Sequence, residues 1–125
     1  MPDSEFRLNQ VGYILLGVSA VQPALAFYRD KLGLSLKSAF EGFAFFEAGS
    51  LTLVLSEALA RQPGAKVGAT EVVFSVPDVR AAYEALRARG VEFTHEPRSV
   101  SGPMWAANFR DPDGHALSVV GPERA

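Results

Sequence analysis

Cysteine is absent from this chain of 125 residues. That excludes disulfides, thiolate nucleophiles and cysteine-ligated zinc or iron–sulfur centres. An excess of one charge is missing as well. Twelve Lys+Arg against fourteen Asp+Glu leave a net charge of −2, which excludes a broad basic surface built for phosphate backbones. No apolar run approaches the roughly 18 residues that a membrane span needs. The opening Met1-Pro2-Asp3-Ser4-Glu5 lacks a basic stretch followed by an apolar one, so no secretory leader is expected. The glycines at 12, 17, 33 and 42 are not spaced as a phosphate loop. Hydroxyls such as Ser19 and Ser101 show no partner arrangement of His and Asp that would mark a nucleophile. These absences lead to the expectation of a cytoplasmic protein with neither nucleic acid nor membrane as partner.

Apolar residues make up 48% of the chain and charged residues 21%, ordinary values for a globular domain. At roughly 100–200 residues per domain, residues 1–125 are read as one domain. Within it the sequence repeats itself. Val11-Gly12-Tyr13-Ile14-Leu15-Leu16-Gly17-Val18 reads as a strand, and Glu71-Val72-Val73-Phe74-Ser75-Val76 as another. A helical stripe follows each: Leu25, Tyr28 and Leu32 in the first half, Val79, Ala82, Tyr83 and Leu86 in the second. Pro23 suits a first helical turn, Asp78 an N-cap, and Gly33 and Gly90 left-handed C-terminal caps. Val18 and Val76 are 58 positions apart, and Gly33 and Gly90 are 57 apart, so one small gap aligns the halves.

Three short strands are expected after each helix, at 34–39, 43–47 and 51–55, then at 91–96, 104–110 and 116–120. Asp111-Pro112-Asp113-Gly114 is the strongest turn signal in the chain. The pattern is β-α-β-β-β twice, an α+β fold with module one at about 9–57, a link at about 58–69 and module two at about 70–121. Two curved sheets of this kind would enclose a cleft.

The phrases Ala26-Phe27-Tyr28-Arg29-Asp30-Lys31-Leu32-Gly33-Leu34, Val76-Pro77-Asp78-Val79, Leu86-Arg87-Ala88-Arg89-Gly90-Val91 and Phe109-Arg110-Asp111-Pro112-Asp113-Gly114 carry a resemblance. With the internal repeat, they make the chain resemble the vicinal oxygen chelate superfamily from about Asn9 to Val120. That group includes glyoxalase I, extradiol dioxygenases, and fosfomycin- and bleomycin-resistance proteins. One fold here carries many activities. The resemblance implies a divalent ion held by side chains from the first and last strands of each half. Those positions fall here on Tyr13, Val54, Glu71 and Ser118, with Gln10 nearby in another strand phase. Only Glu71 among the four is a good ligand. His95, expected in a mid-half strand, and His115, expected at the edge of the turn, do not complete a set. No metal and no cofactor is therefore expected. The resemblance also implies a homodimer whose clefts are bordered by both chains.

Strand phase gives the cleft lining. A four-residue turn at 111–114 pairs Ala107 with Ser118 and Trp105 with Val120, which puts Trp105, Ala107 and Phe109 on the side of Ser118. Phe43, Phe45 and Glu47 share the side of Thr52 and Val54. The expected ligand-binding set is Tyr13, Phe45, Glu47, Val54, Glu71, Trp105 and Ser118, with no catalytic residue named. Glu47 and Glu71 are the polar anchors of an otherwise apolar, aromatic cleft. Arg98, Ser99, Ser101 and Gly102 read as a loop that could fold over a ligand. The set points to a metal-free binder of an aromatic or cationic small molecule. The alternatives are a metal-dependent lyase, transferase or dioxygenase, and a module that either has no ligand or uses Glu71 or Tyr13 as a base.

Overall fold

Short apolar runs between glycine-bearing turns form eight strands, which the computed structural model, describing residues 7, 10–66 and 70–124, sorts into two sheets. The first contains β1 (Tyr13–Gly17), β2 (Ser35–Phe40), β3 (Phe43–Ala48) and β4 (Leu51–Ser56) in the order β1-β4-β3-β2. The second contains β5 (Glu71–Ser75), β6 (Arg98–Ser101), β7 (Met104–Arg110) and β8 (Ala116–Pro122) in the order β5-β8-β7-β6. In each sheet the first strand lies parallel to the last and the other pairs are antiparallel. Residues 67–69 of the expected link, Asn9, and residues 1–5 lie outside the described residues.

Helix α1 (Val21–Ala26) follows β1 and widens into a π-helical turn, Phe27–Lys31, closed by the Leu32 amide donating to the Phe27 carbonyl. Gly33 ends it at φ +82°, a value that L side chains rarely adopt. The start of α1 has no side-chain cap of its own. The Glu57 carboxylate, on the one-turn helix α2 (Glu57–Ala60), accepts from the Val21 amide at 2.7 Å instead. Helix α3 (Val79–Ala88) starts as its sequence promises, with Asp78 accepting from the Arg80 amide at 3.1 Å. The backbone amide of Arg124 also donates to Asp78, and this bond is the main reason its carboxyl sits below the usual range.

The expected strand at 91–96 is reduced to a single bridge, Phe93 with Phe109. The edge strand of the second sheet forms instead at Arg98–Ser101, where a loop was expected. Pro97, which has no N–H to give a ladder, separates the two pairings.

A second correction concerns the β7–β8 hairpin. Ser118 pairs with Asn108, and Trp105 pairs with Gly121. The Asp111 amide donates to the His115 carbonyl, so the loop proper is 112–114, one residue shorter than the four-residue turn assumed. The Asp111 side chain stays out of the tip and accepts from the amides of Asp113 and His115 at 3.0 and 2.8 Å, while Gly114 takes φ +89°. A one-residue slip moves every side chain to the opposite face. Trp105, Ala107 and Phe109 therefore lie on the helix side, not on the side of Ser118.

The helix sides of both sheets share one core. Phe46, Leu53 and Leu55 from the first sheet belong to the same buried cluster as Phe109, Leu117 and Val119 from the second, together with Tyr28 and Tyr83 from the helical segments. The opposite, open faces consequently point away from each other within one chain. Tyr13 is 63% exposed, Val73 50% and Leu15 46%. Polar contacts fasten the halves. The Tyr28 hydroxyl donates to Asp111 Oδ2 at 2.7 Å, the Ser19 amide to Asp113 Oδ1 at 2.8 Å, and His115 Nε2 to the Gly17 carbonyl at 2.7 Å. At the other end of the shared core, the Arg89 guanidinium donates to the Lys31 carbonyl at 3.1 Å.

Burial, reinforced by the charge of Asp111, pushes the Tyr28 hydroxyl pKa far above its ordinary value. An unfolded tyrosine ionises near pH 10, but this one stays protonated when folded. Its contribution is complete below pH 10 and is lost as pH rises above it, at up to about 1.4 kcal/mol per pH unit. Tyr28→Phe should cost about 1.5–3 kcal/mol at neutral pH, because a buried carboxylate loses its donor, and should flatten the alkaline decline. Urea unfolding of both proteins at pH 7 and pH 11 checks both effects. Gly121→Ala would drive a Cβ into the Val76 carbonyl oxygen, and a loss of at least about 2 kcal/mol is expected in the same assay.

Candidate functional site

The open face of the first sheet is laid out in cross-strand rows. One row runs Tyr13, Thr52, Glu47, Ser35, and the next runs Leu15, Val54, Phe45, Ser38. Alternation along each strand holds these side chains on one side, as the sequence pattern requires. A bulge between Leu36 and Ser38 re-aims Lys37, whose ammonium donates to Thr52 Oγ1 at 3.1 Å. Phe45 is flanked by two aromatic rings, Phe40 edge-on with centroids 5.9 Å apart and Phe43 stacked at 6.4 Å. This face thus carries an aromatic cluster, the exposed Tyr13 and Leu15, and a polar corner of Lys37, Thr52 and Glu47.

The open face of the second sheet has rows Glu71–Ala116–Arg110, Val73–Ser118–Asn108 and Ser75–Val120–Ala106–Arg98. Its polar groups are joined. The Asn108 side-chain amide donates to Glu71 Oε2 at 2.7 Å, and His95 Nε2 donates to Asn108 Oδ1 at 2.7 Å. His95 Nδ1 lies 2.7 Å from the Glu96 carbonyl oxygen. Ser118 is buried beside this chain of bonds, while Glu71 is exposed at the start of β5.

Six of the seven residues singled out in the sequence belong to the open-face rows: Tyr13, Phe45, Glu47 and the buried Val54 on one sheet, Glu71 and the buried Ser118 on the other. One chain does not bring the two groups together, because the shared core lies between the sheets. Trp105 is on the helix side, packed against that core. Asn108 and Lys37 escaped the sequence reading. The hairpin slip hid Asn108, and Lys37 stands at a bulge, where counting from Ser35 and counting from Ser38 assign it opposite faces. Arg98 is part of the edge strand β6, and its pairing with Ala106 puts it in the row of the open face farthest from Glu71.

Two cavities lie elsewhere. One of about 510 Å³ opens between the end of β1, segment 59–66 and the loop residues Asp113 and His115. The other, of about 280 Å³, is an apolar slot between Leu32, Leu34, α3 and the helix side of the second sheet. Among the described residues, no three His, Asp or Glu side chains converge as an ion site would require. No helix among them is long and apolar enough to cross a membrane.

Comparison with known proteins gives this architecture its lineage. Over 116 residues the chain is 29% identical to a protein of Serratia marcescens named glutathione transferase FosA, covering 90% of this chain and 80% of that protein. A glyoxalase/bleomycin resistance protein/dioxygenase from Nocardioides superposes with a TM-score of 0.78 at 25% identity, covering 98% of this chain and 89% of the other. TnmS3 from Streptomyces sp. CB03234, described as an antibiotic-binding protein, superposes with a TM-score of 0.79 at 23% identity, covering 95% and 100%. The family model for the Glyoxalase/Bleomycin resistance protein/Dioxygenase superfamily matches residues 10–119, and the chain belongs to that superfamily.

Proposed function

We propose that this chain is a metal-free binder of an aromatic or cationic small molecule, held over the open sheet faces. The observation that carries the reading is the make-up of those faces. The positions at which metalloenzymes of the superfamily place chelating groups hold Tyr13, Val54, Glu71 and Ser118. One of the Glu71 oxygens already accepts from Asn108. A phenol, a methyl-bearing side chain, a single carboxylate and a hydroxyl do not fit a chelated divalent ion. They suit an apolar body with one or two polar contacts. The description of TnmS3 as an antibiotic-binding protein agrees with this use of the fold.

On this reading residues 1–125, with the halves 9–57 and 70–121 joined by 58–69, act as one unit in a cytoplasmic homodimer, without nucleic acid or membrane. In a lone chain Tyr13, Leu15, Phe40 and Val73 expose apolar surface that monomers rarely leave in patches. The outer edges of β1 and β5 have no strand partner among the described residues. A second copy laid over these faces supplies the missing wall of each cleft, bringing Tyr13 and Phe45 of one chain toward Glu71 of the other.

The likeness to a protein named glutathione transferase favours a second reading, a metal-dependent transferase of the same superfamily. Elemental analysis of the purified protein separates the two. Stoichiometric manganese, iron, nickel or zinc would replace the first reading with the second.

Sedimentation at micromolar concentration should show a species of twice 13.4 kDa. Leu15→Asp together with Val73→Asp should reduce it to the single-chain mass while the chain still unfolds cooperatively, since both residues are exposed in one chain. A thermal-shift screen of aromatic and cationic compounds should find stabilising ligands, a tight one adding about 2.7 kcal/mol at a hundredfold excess over its dissociation constant. Glu71→Gln and Tyr13→Phe should weaken such a ligand about fivefold or more, with the unfolding midpoint of the free protein unchanged. Unchanged affinity in both variants would remove them from the site.

A further inference from the structure

The geometry points to Asn108 and His95 as positioning residues that hold the Glu71 carboxylate ready for a protonated nitrogen, so that the open face of the second sheet selects an ammonium, amidinium or guanidinium group. This inference rests on the reading of the open faces as the ligand site and narrows the ligand to a class.

The argument starts from the hydrogen-bond inventory of the three side chains. An ionised carboxylate only accepts, whereas a primary amide donates from nitrogen and accepts at oxygen. Asn108 must therefore turn Nδ2 toward Glu71, and the 2.7 Å bond to Oε2 is of that kind. The amide oxygen then faces the other way, where His95 Nε2 donates to it at 2.7 Å. Rotating the amide would break both bonds at once. The neighbouring Thr94 donates from its amide and its hydroxyl to the Asn108 carbonyl, at 2.8 and 3.1 Å. A glutamate at the exposed start of a strand would ordinarily sample several rotamers. This one is held by one oxygen, and the other, Oε1, accepts no hydrogen bond among the described residues. Holding a group in place beforehand reduces the ordering cost of binding.

The surroundings decide the sign of the preferred ligand. Val73 follows on the same face of β5 and Ala116 is next in the row, so an apolar body can lie on carbon while its charged end reaches Glu71. Arg110 is two strands away in the same row, about 10 Å off by strand spacing, with its guanidinium turned to the Gly114 carbonyl at 2.8 Å. Arg98 is three strands and two rows away, on the order of 20 Å. Within one chain neither of these two arginines neutralises Glu71, and a carboxylate ligand placed there would meet like charge.

The test uses three probes that share one ring and differ in charge: benzamidine, benzyl alcohol and benzoate. Each is titrated into the isotope-labelled full chain, and NMR follows the Leu15 and Val73 methyls and the Asn108 side-chain amide. Benzamidine should bind about fivefold or more tightly than benzyl alcohol, with benzoate the weakest, and it should shift the Asn108 amide. Asn108→Ala should bring benzamidine down to the level of benzyl alcohol and leave benzyl alcohol unchanged. His95→Ala should do so in part, and His95→Gln, which keeps a donor for Oδ1, should restore the preference. An equal loss for both probes in Asn108→Ala, or a benzamidine preference that survives it, overturns the positioning role while leaving the open faces as a ligand site. If no probe moves the Leu15 or Val73 methyls, the ligand-site reading fails, and this inference fails with it.

Discussion

The carboxylate of Asp111 sits at 5% exposure between the two halves of the chain and accepts from three donors. Two of those donors are amides of its own loop, and they set the length of the β7–β8 connection. The third is the Tyr28 hydroxyl, which comes from the helical segment of the other half. One side chain thus decides the register of a hairpin and the docking of one module on the other. Removing it would leave the buried phenol unpaired and take the acceptor from two part-buried loop amides, a larger cost than the net worth of any single hydrogen bond. His115 and Asp113, from the same loop, add contacts to Gly17 and Ser19 at the end of β1. The chain has no disulfide, so this polar seam within an apolar core holds the halves in one orientation.

The register set by Asp111 determines what each face offers. With Asn108 opposite Ser118, the open face of the second sheet is polar where it meets β5, and the amide can reach Glu71. With Trp105, Ala107 and Phe109 on the helix side, the shared core gains rings and methyls it would otherwise lack. The first sheet is arranged the other way. Its open face keeps Phe40, Phe43 and Phe45 beside Leu15 and Tyr13, and its polar corner is confined to Lys37, Thr52 and Glu47. An aromatic face and a carboxylate-bearing face on opposite sides of one chain come together only when two chains meet. That requirement links the proposed dimer to the proposed ligand site.

Much of the architecture was legible from residue order. The glycines at 33 and 90, the helical stripes and the near-constant spacing between halves announced a duplicated β-α-β-β-β unit, and the strands at 43–47, 51–55 and 104–110 agree closely with the observed ones. Residues in the first sheet, placed by carrying the four-residue turn of the second hairpin across at the step of 64, fall on the correct face because the two-residue Gly49-Ser50 turn has the same even count. The second hairpin misled, because Asp111 looks like a turn residue and acts as a buried acceptor. The strand expected at 91–96 moved to Arg98–Ser101 because Pro97 interrupts the ladder. Lys37 and Asn108 were invisible for one reason: a bulge in one strand and a one-residue difference in loop length each reverse the alternation on which facing arguments depend.

Sequence alone determined the class of fold, the duplication and the absence of thiol chemistry. Those properties depend on which residues are present and on local periodicity, and both are readable along the chain. Only the tertiary structure decided which faces meet: the helix sides of both sheets share one buried cluster, and that depends on contacts between distant strands. It also decided that Tyr28 meets Asp111 across 83 positions and that Glu71, Asn108 and His95 form one chain of bonds. Contacts between residues so far apart depend on the register of several strands at once, and a shift of one position anywhere would have dissolved them.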